Sequence, residues 1–172
     1  LEPGQSEIQM NELFKALDLL GEEVGIIFTK SNADTDGRKL NLLIDTYASS
    51  RSHVKTYSSL GHTRYLSTLQ FVDVVIGNSS SGIYEVPVFK KPTVNIGDRQ
   101  KGRLAATSVL NCNPVSEEIV STIRSAFKMD CGNTSNPYGG GDSTEQMLKI
   151  LLGISDFKSL VKKHFHMLEF KI

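Results

Sequence analysis

Short apolar runs alternate with amphipathic segments along this chain, and that order leaves few folds open. Val24 to Thr29 reads as a buried strand, Val54 to Tyr57 as a short strand, Val74 to Ile76 as a short buried strand and Thr93 to Ile96 as an apolar strand, each bounded by polar or glycine-containing turns. Between them, Leu40, Leu43, Ile44 and Tyr47 mark one helical face, and Tyr65, Leu66, Leu69 and Val72 mark another. Strand and helix alternating in this way predict an α/β fold, a parallel sheet wound by right-handed crossovers. Ligands of such sheets sit beyond the carboxyl ends of the strands, so the loops that follow the strands carry the functional argument.

One of these loops is unusually rich in donors. After Val74-Val75-Ile76 comes Gly77-Asn78-Ser79-Ser80-Ser81-Gly82, a turn leading into a helix expected to run through Phe89. The first N–H groups of a helix lack internal partners, and the macrodipole adds about half a positive charge there. A phosphate supplies what they lack. Serine hydroxyls add donors, and Gly82 has no Cβ to block close approach. Glu85 has Gly82 three residues before it, not the Ser or Thr of a capping box. Its carboxylate can therefore serve the vicinal hydroxyls of a ribose, or simply complement the helix dipole. Pro87 lacks an N–H and should end or kink the helix early.

The other loops are read with two meanings each. Following Thr93 to Ile96 and Gly97, the run Asp98-Arg99-Gln100-Lys101-Gly102-Arg103 is either a solvated basic turn or a phosphate grip, since a guanidinium can hold two oxygens through parallel bonds. Asn32, beyond the first strand, is by residue type a turn-former. Leu60, beyond the second, is by default a loop residue packing onto the sheet.

The stretch GNSSSGIYEVPVFKKPTVNIGDRQKGR, residues 77 to 103, resembles the nucleotide-binding signature of the hydrolysing UDP-N-acetylglucosamine 2-epimerases, the type that opens sialic and related nonulosonic acid pathways. Weaker likeness extends from the Ser31-Asn32-Ala33-Asp34 turn to the Tyr138-Gly139 turn and the last helices. The resemblance implies a Rossmann-like parallel sheet with flanking helices, the carboxyl-terminal half of a two-domain glycosyltransferase-B type fold. It implies that Asn32, Leu60, Ser79, Ser80, Glu85 and Arg99 contact the UDP moiety, Leu60 partly through backbone groups beside the uracil. The family's acid and base are carboxylates and a histidine of an amino-terminal domain, and nothing in this chain matches those motifs, so no catalytic residue is assigned here. Full-length members commonly form homo-oligomers.

The ends of the chain carry less. Ser6-Glu7-Ile8-Gln9 reads as a capping box opening a helix that Gly21 stops. A helix with no strand before it is an unusual start for an alternating fold. Residues 1–172 are therefore expected to be one UDP-binding domain, a fragment lacking its first strand and the preceding domain. Val109 to Cys112 reads as a fifth strand, and Ser116-Glu117-Glu118 opens a helix turning Ile119, Val120, Ile123 and Phe127 inward. Cys131 to Asp142 contains Gly139-Gly140-Gly141 but follows no strand, so it reads as a linker. Ser143 and Gln146 suggest another capping box, and Phe157, Leu160, Val161, Phe165 and Leu168 a closing helix over 156–169.

Composition excludes several classes. Nineteen basic and nineteen acidic residues cancel, leaving no general field for nucleic acid or an anionic membrane, so any anion must be bound locally. No apolar run approaches the ~20 residues that span a bilayer. Cys112 and Cys131 lack metal-ligand spacing, and His164 and His166 diverge on a helix, so neither metal nor other cofactor is expected. These features suit a cytoplasmic protein. Three functions fit: hydrolytic epimerisation of a UDP-sugar, which the resemblance implies; a nucleotide-binding or regulatory module without turnover; and the donor half of a UDP-sugar glycosyltransferase. UDP-N-acetylglucosamine and UDP-N,N'-diacetylbacillosamine both remain open as substrate.

Overall fold

A computed structural model of the protein describes residues 5–31, 36–139 and 141–161. Two compact units divide at Pro137 and Tyr138. The first holds the α/β fold. Its elements run α1 (Gln5–Asp18), β1 (Ile26–Thr29), α2 (Gly37–Ser49), β2 (Val54–Tyr57), α3 (Gly61–Leu69), β3 (Val75–Gly77), α4 (Ser81–Tyr84), β4 (Thr93–Ile96), β5 (Val109–Cys112) and α5 (Ser116–Ala126), with a 3-10 helix at Val86–Phe89 after α4.

All the strand pairs are parallel, as the alternation predicts, but they form two sheets rather than one. β1 pairs with β2 in the register Ile26 to Val54 through Thr29 to Tyr57. In the other sheet the order is β3-β4-β5, with Gly77 opposite Asn95 and Asn95 opposite Asn111. Parallel registers of this kind bring strand ends to one edge: Thr29 and Tyr57 end together, and the chain leaves β3 at Gly77 beside the end of β4 at Ile96. β4 is buried at all four positions, as the middle strand of its sheet should be.

One core serves both sheets. Phe14 and Leu17 of α1, Ile44 and Tyr47 of α2, Val54 of β2, Val94 and Ile96 of β4, and Ile119, Val120 and Ile123 of α5 form a single buried cluster. Phe14 stacks on Tyr47 at 4.2 Å, with Phe28 edge-on to both rings. The Tyr47 hydroxyl donates to Asp18 Oδ1 at 2.8 Å, and Arg51 bonds both oxygens of that carboxylate. Burial and the Asp18 charge push the Tyr47 phenol well above its ordinary range.

Local expectations fail where tertiary partners compete. Ser6 lies inside α1 and donates to Asp36 Oδ2 at 3.0 Å, so no capping box forms. Phe127 is exposed, because it caps α5 rather than continuing its inward face. The second unit contains α6 (Ser143–Leu152), whose N-cap is Asp142, not Ser143: Gln146 Nε2 donates to Asp142 Oδ2 at 2.7 Å. Of the closing helix expected over 156–169, residues 156–158 are not helical, Ser159–Val161 form a 3-10 turn, and residues 162–169, with His164 and His166, lie outside the described residues. No helix among the described residues is long and apolar enough to cross a membrane.

Candidate functional site

The turn between β3 and α4 is held by three side chains from outside it. Gly77 takes φ +143°, a conformation open to glycine, and turns the chain out of the strand. Gln100 Nε2 donates to the Asn78 carbonyl at 2.7 Å, which ties the loop after β4 to the turn. The Tyr65 hydroxyl of α3 bonds Ser81 Oγ. Half-buried there, the Tyr65 phenol is pushed up chiefly by desolvation. From β4, the buried Thr93 hydroxyl donates to the Gly82 carbonyl at 2.9 Å. Ser79 Oγ accepts from the Ser81 N–H at 3.3 Å, closing the turn on itself.

Held in this way, the turn offers donors outward. Ser79 and Ser80 are exposed, and their backbone N–H groups have no acceptor among the described residues. The N–H groups after them are spent on the first helical bonds, Gly82 to Ser79 and Ile83 to Ser80. The Ser79 and Ser80 amides, with two exposed hydroxyls beside them, are donors of the kind that hold an anion.

The helix behind the turn is shorter than expected. α4 ends at Tyr84 and gives way to the 3-10 helix, in which Pro87 cannot donate and Val88 N–H bonds the Glu85 carbonyl. Four residues carry little macrodipole, so attraction for an anion falls on the individual donors. Gly82 also has a different purpose from that expected. A Cβ built on it would lie 2.6 Å from Thr93 Cγ2, so the missing side chain permits packing on β4, not approach of a ligand.

Among the six residues expected to bind UDP, the structure gathers four around this turn. Ser79 and Ser80 form it. Arg99 precedes Gln100, which is bonded to it; Arg99 is exposed and makes no ion pair or hydrogen bond among the described residues. Glu85, half-buried one turn beyond Ser81, lies close enough for its charge to act on the Tyr65 phenol. Leu60 is half-buried at the N-cap of α3, the helix that brings Tyr65 to the turn. Asn32 lies outside the described residues. The cation run is divided: Lys101 pairs with Asp98 at 3.4 Å, and Arg103 reaches the Tyr84 hydroxyl at 3.2 Å and lies over its ring. A cavity of ≈ 330 Å³ on α5, lined by Glu117, Val120, Ser121, Arg124, Ser125 and Lys128, contains none of these residues.

Gln100 and Tyr65 are the site residues that reading the sequence misses. Gln100 sits in a basic run and has no pattern to mark it as buried. Tyr65 falls on an apolar helical face, and only its hydroxyl hints that it needs a partner. Both cysteines are free thiols, Cys131 buried and Cys112 half-buried, each pushed up by desolvation.

Known proteins place the chain. A family model described as UDP-N-acetylglucosamine 2-epimerase matches residues 2–152. Over 160 residues the chain is 36% identical to the GDP/UDP-N,N'-diacetylbacillosamine 2-epimerase (hydrolyzing) of Campylobacter jejuni, covering 91% of this chain and 41% of that protein. It is 31% identical to the polysialic acid biosynthesis protein P7 of Escherichia coli, covering 92% of this chain and again 41% of the relative. It thus spans about two-fifths of the length of these curated relatives. The crystal structure of Methanocaldococcus jannaschii UDP-GlcNAc 2-epimerase in complex with UDP-GlcNAc and UDP has the same fold over 86% of this chain and 41% of its own, with a TM-score of 0.69 at 15% identity. A match over residues 2–152, with a parallel α/β fold and the serine turn set among its strand ends, means that the chain belongs to the UDP-N-acetylglucosamine 2-epimerase family.

Proposed function

We propose that this chain is the UDP-binding domain of a hydrolysing UDP-sugar 2-epimerase. The observation that carries the reading is the serine turn: two exposed hydroxyls and two amides without an acceptor among the described residues, fixed from three sides, with exposed Arg99 next in the chain to the Gln100 that holds it. In this reading Ser79, Ser80 and Arg99 hold the pyrophosphate, Glu85 accepts from the ribose hydroxyls, Leu60 borders the uracil, and Asn32 is a further contact to UDP. The reaction removes the C2 proton of the amino sugar, expels UDP from C1 and adds water to give the free 2-epimer. UDP leaves with charge on its phosphate, and donors already in place stabilise that charge without reorganising. Charge-assisted bonds of this kind are worth about 1.5–3 kcal/mol each. The general acid and base belong to a further domain of a longer protein.

The split sheet supports the same division. β1 gives the N–H groups of Ile26 and Lys30 to β2, so Ile27 and Thr29 direct theirs to the other side; β3 gives that of Val75 to β4, so Ile76 faces away. Two parallel edges without a partner among the described residues, within one core, fit a further strand between β1 and β3 in a longer protein. The native sugar is either N-acetylglucosamine or N,N'-diacetylbacillosamine; a 36% identical relative carries the latter in its name and supports it.

Calorimetric titration of UDP tests the site, with GDP as control and with Ser80→Ala and Glu85→Ala. Saturable binding that weakens about tenfold, or about 1.4 kcal/mol, in each variant is expected. Release of the free 2-epimer from the sugar nucleotide without an acceptor is expected of the longer protein. Acceptor-dependent transfer would instead mark a glycosyltransferase, and UDP binding without turnover a regulatory module.

A further inference from the structure

We propose that Gln100 is a positioning residue that aims the Ser79 amide at the bound anion, an inference that rests on the UDP site proposed above. Gln100 lies between exposed Arg99 and exposed Lys101, yet only 6% of its own surface is exposed. Its Nε2 holds the Asn78 carbonyl, and its Oε1 is buried with no hydrogen-bond partner among the described residues. An apolar side chain of similar shape would remove that orphan but leave the Asn78 carbonyl without its donor, so the specific use of an amide here is its bond to Asn78.

That bond fixes a peptide plane. The Asn78 carbonyl and the Ser79 N–H belong to the same planar unit, and in a trans peptide they point in opposite directions. Drawing the carbonyl toward Gln100 turns the N–H the other way, and that N–H is one of the two amides without an acceptor. The remainder of the turn is fixed independently: Tyr65 holds Ser81, Thr93 holds Gly82, and Ser79 Oγ takes the Ser81 N–H. The Asn78–Ser79 plane alone depends on Gln100. Without the amide the plane can rotate, and the donor leaves the site while the fold stays intact.

UDP titrations of the protein with Gln100→Met and Gln100→Glu test this, each paired with a melting curve. Gln100→Met should melt within a few degrees of the wild type and bind UDP about tenfold more weakly at every pH. Gln100→Glu should bind weakly near about pH 8.5, where an ionised carboxylate has no proton for the Asn78 carbonyl. It should regain affinity relative to the wild type toward about pH 5.5 as the buried carboxyl takes up a proton. Taking the ratio to wild type at each pH cancels the titration of UDP itself and of Asp98, Glu85 and the neighbouring cations. Gln100→Met binding within about twofold of the wild type overturns the proposal, as does a Gln100→Glu ratio that is flat with pH. If Gln100→Met fails to fold, the Gln100→Glu profile decides. Wild-type protein that binds no UDP overturns the site itself, and this inference with it.

Discussion

Gly82 is required by its neighbour. The nearest atom to its absent Cβ is a methyl of Thr93, a side chain 3% exposed whose hydroxyl is already committed to the Gly82 carbonyl. Alanine at this position forces one of the two to move within a close-packed interior, and we expect Gly82→Ala to cost about 1–3 kcal/mol in urea denaturation. Thr93→Ser removes the offending methyl while keeping the hydroxyl, so the double variant should be more stable than the sum of the single losses. Additive losses would show that the contact does not explain the glycine. The sequence marks Gly82 as special but attaches the wrong reason, because a glycine that admits a ligand and one that admits a strand look alike. Ser79, Ser80 and Arg99 stand differently: their residue types, on loops after strands, suggest phosphate chemistry without any appeal to packing.

Between elements, the start of α5 depends on a side chain of α1. Glu12 accepts from the Ser116 N–H at 2.9 Å and from Lys15 Nζ at 2.6 Å, serving as a cap supplied from another helix. The Lys15 bond first, and the Ser116 amide next, hold the Glu12 carboxyl down at about 2. A folded value below the ordinary 4.5 means that the bonds contribute fully above about pH 4.5 and are lost as pH falls toward 2. Melting temperatures measured across that window should fall less steeply for Glu12→Gln than for the wild type, and the variant should melt lower near neutrality. An unchanged slope would mean that the cap contributes nothing to folding. This arrangement is invisible in the sequence. Glu12 and Ser116 are 104 positions apart, whereas Ser6 and Gln9 have the local spacing of a cap that the structure does not form. Strands fared better, since β2, β4 and β5 are short runs rich in β-branched and apolar residues, closed at both ends by turns, and their bounds follow from local chemistry. Their division into two sheets does not, because pairing depends on backbone partners that periodicity cannot specify.

At the scale of the molecule, the hydrophobic cluster draws every member from residues before Pro137, and the strands and the serine turn lie there too. In the second unit, α6 buries none of its residues, and Met147, Leu148, Ile150, Leu151 and Leu152 are all exposed. A core built wholly from first-unit residues keeps all its members when the second unit is removed. Ending the chain at Pro137 should therefore leave a single cooperative transition within a few degrees of the original. It should also lower binding of a hydrophobic dye, because the apolar face of α6 is gone. UDP affinity should persist in the shortened chain, since Leu60, Ser79, Ser80, Glu85, Arg99 and Gln100 all remain. A broad, uncooperative melt would show that the second unit completes the core. A sharp melt with UDP binding lost would show instead that residues beyond Pro137 belong to the nucleotide site, and the two outcomes are separated by measuring both on the same preparation.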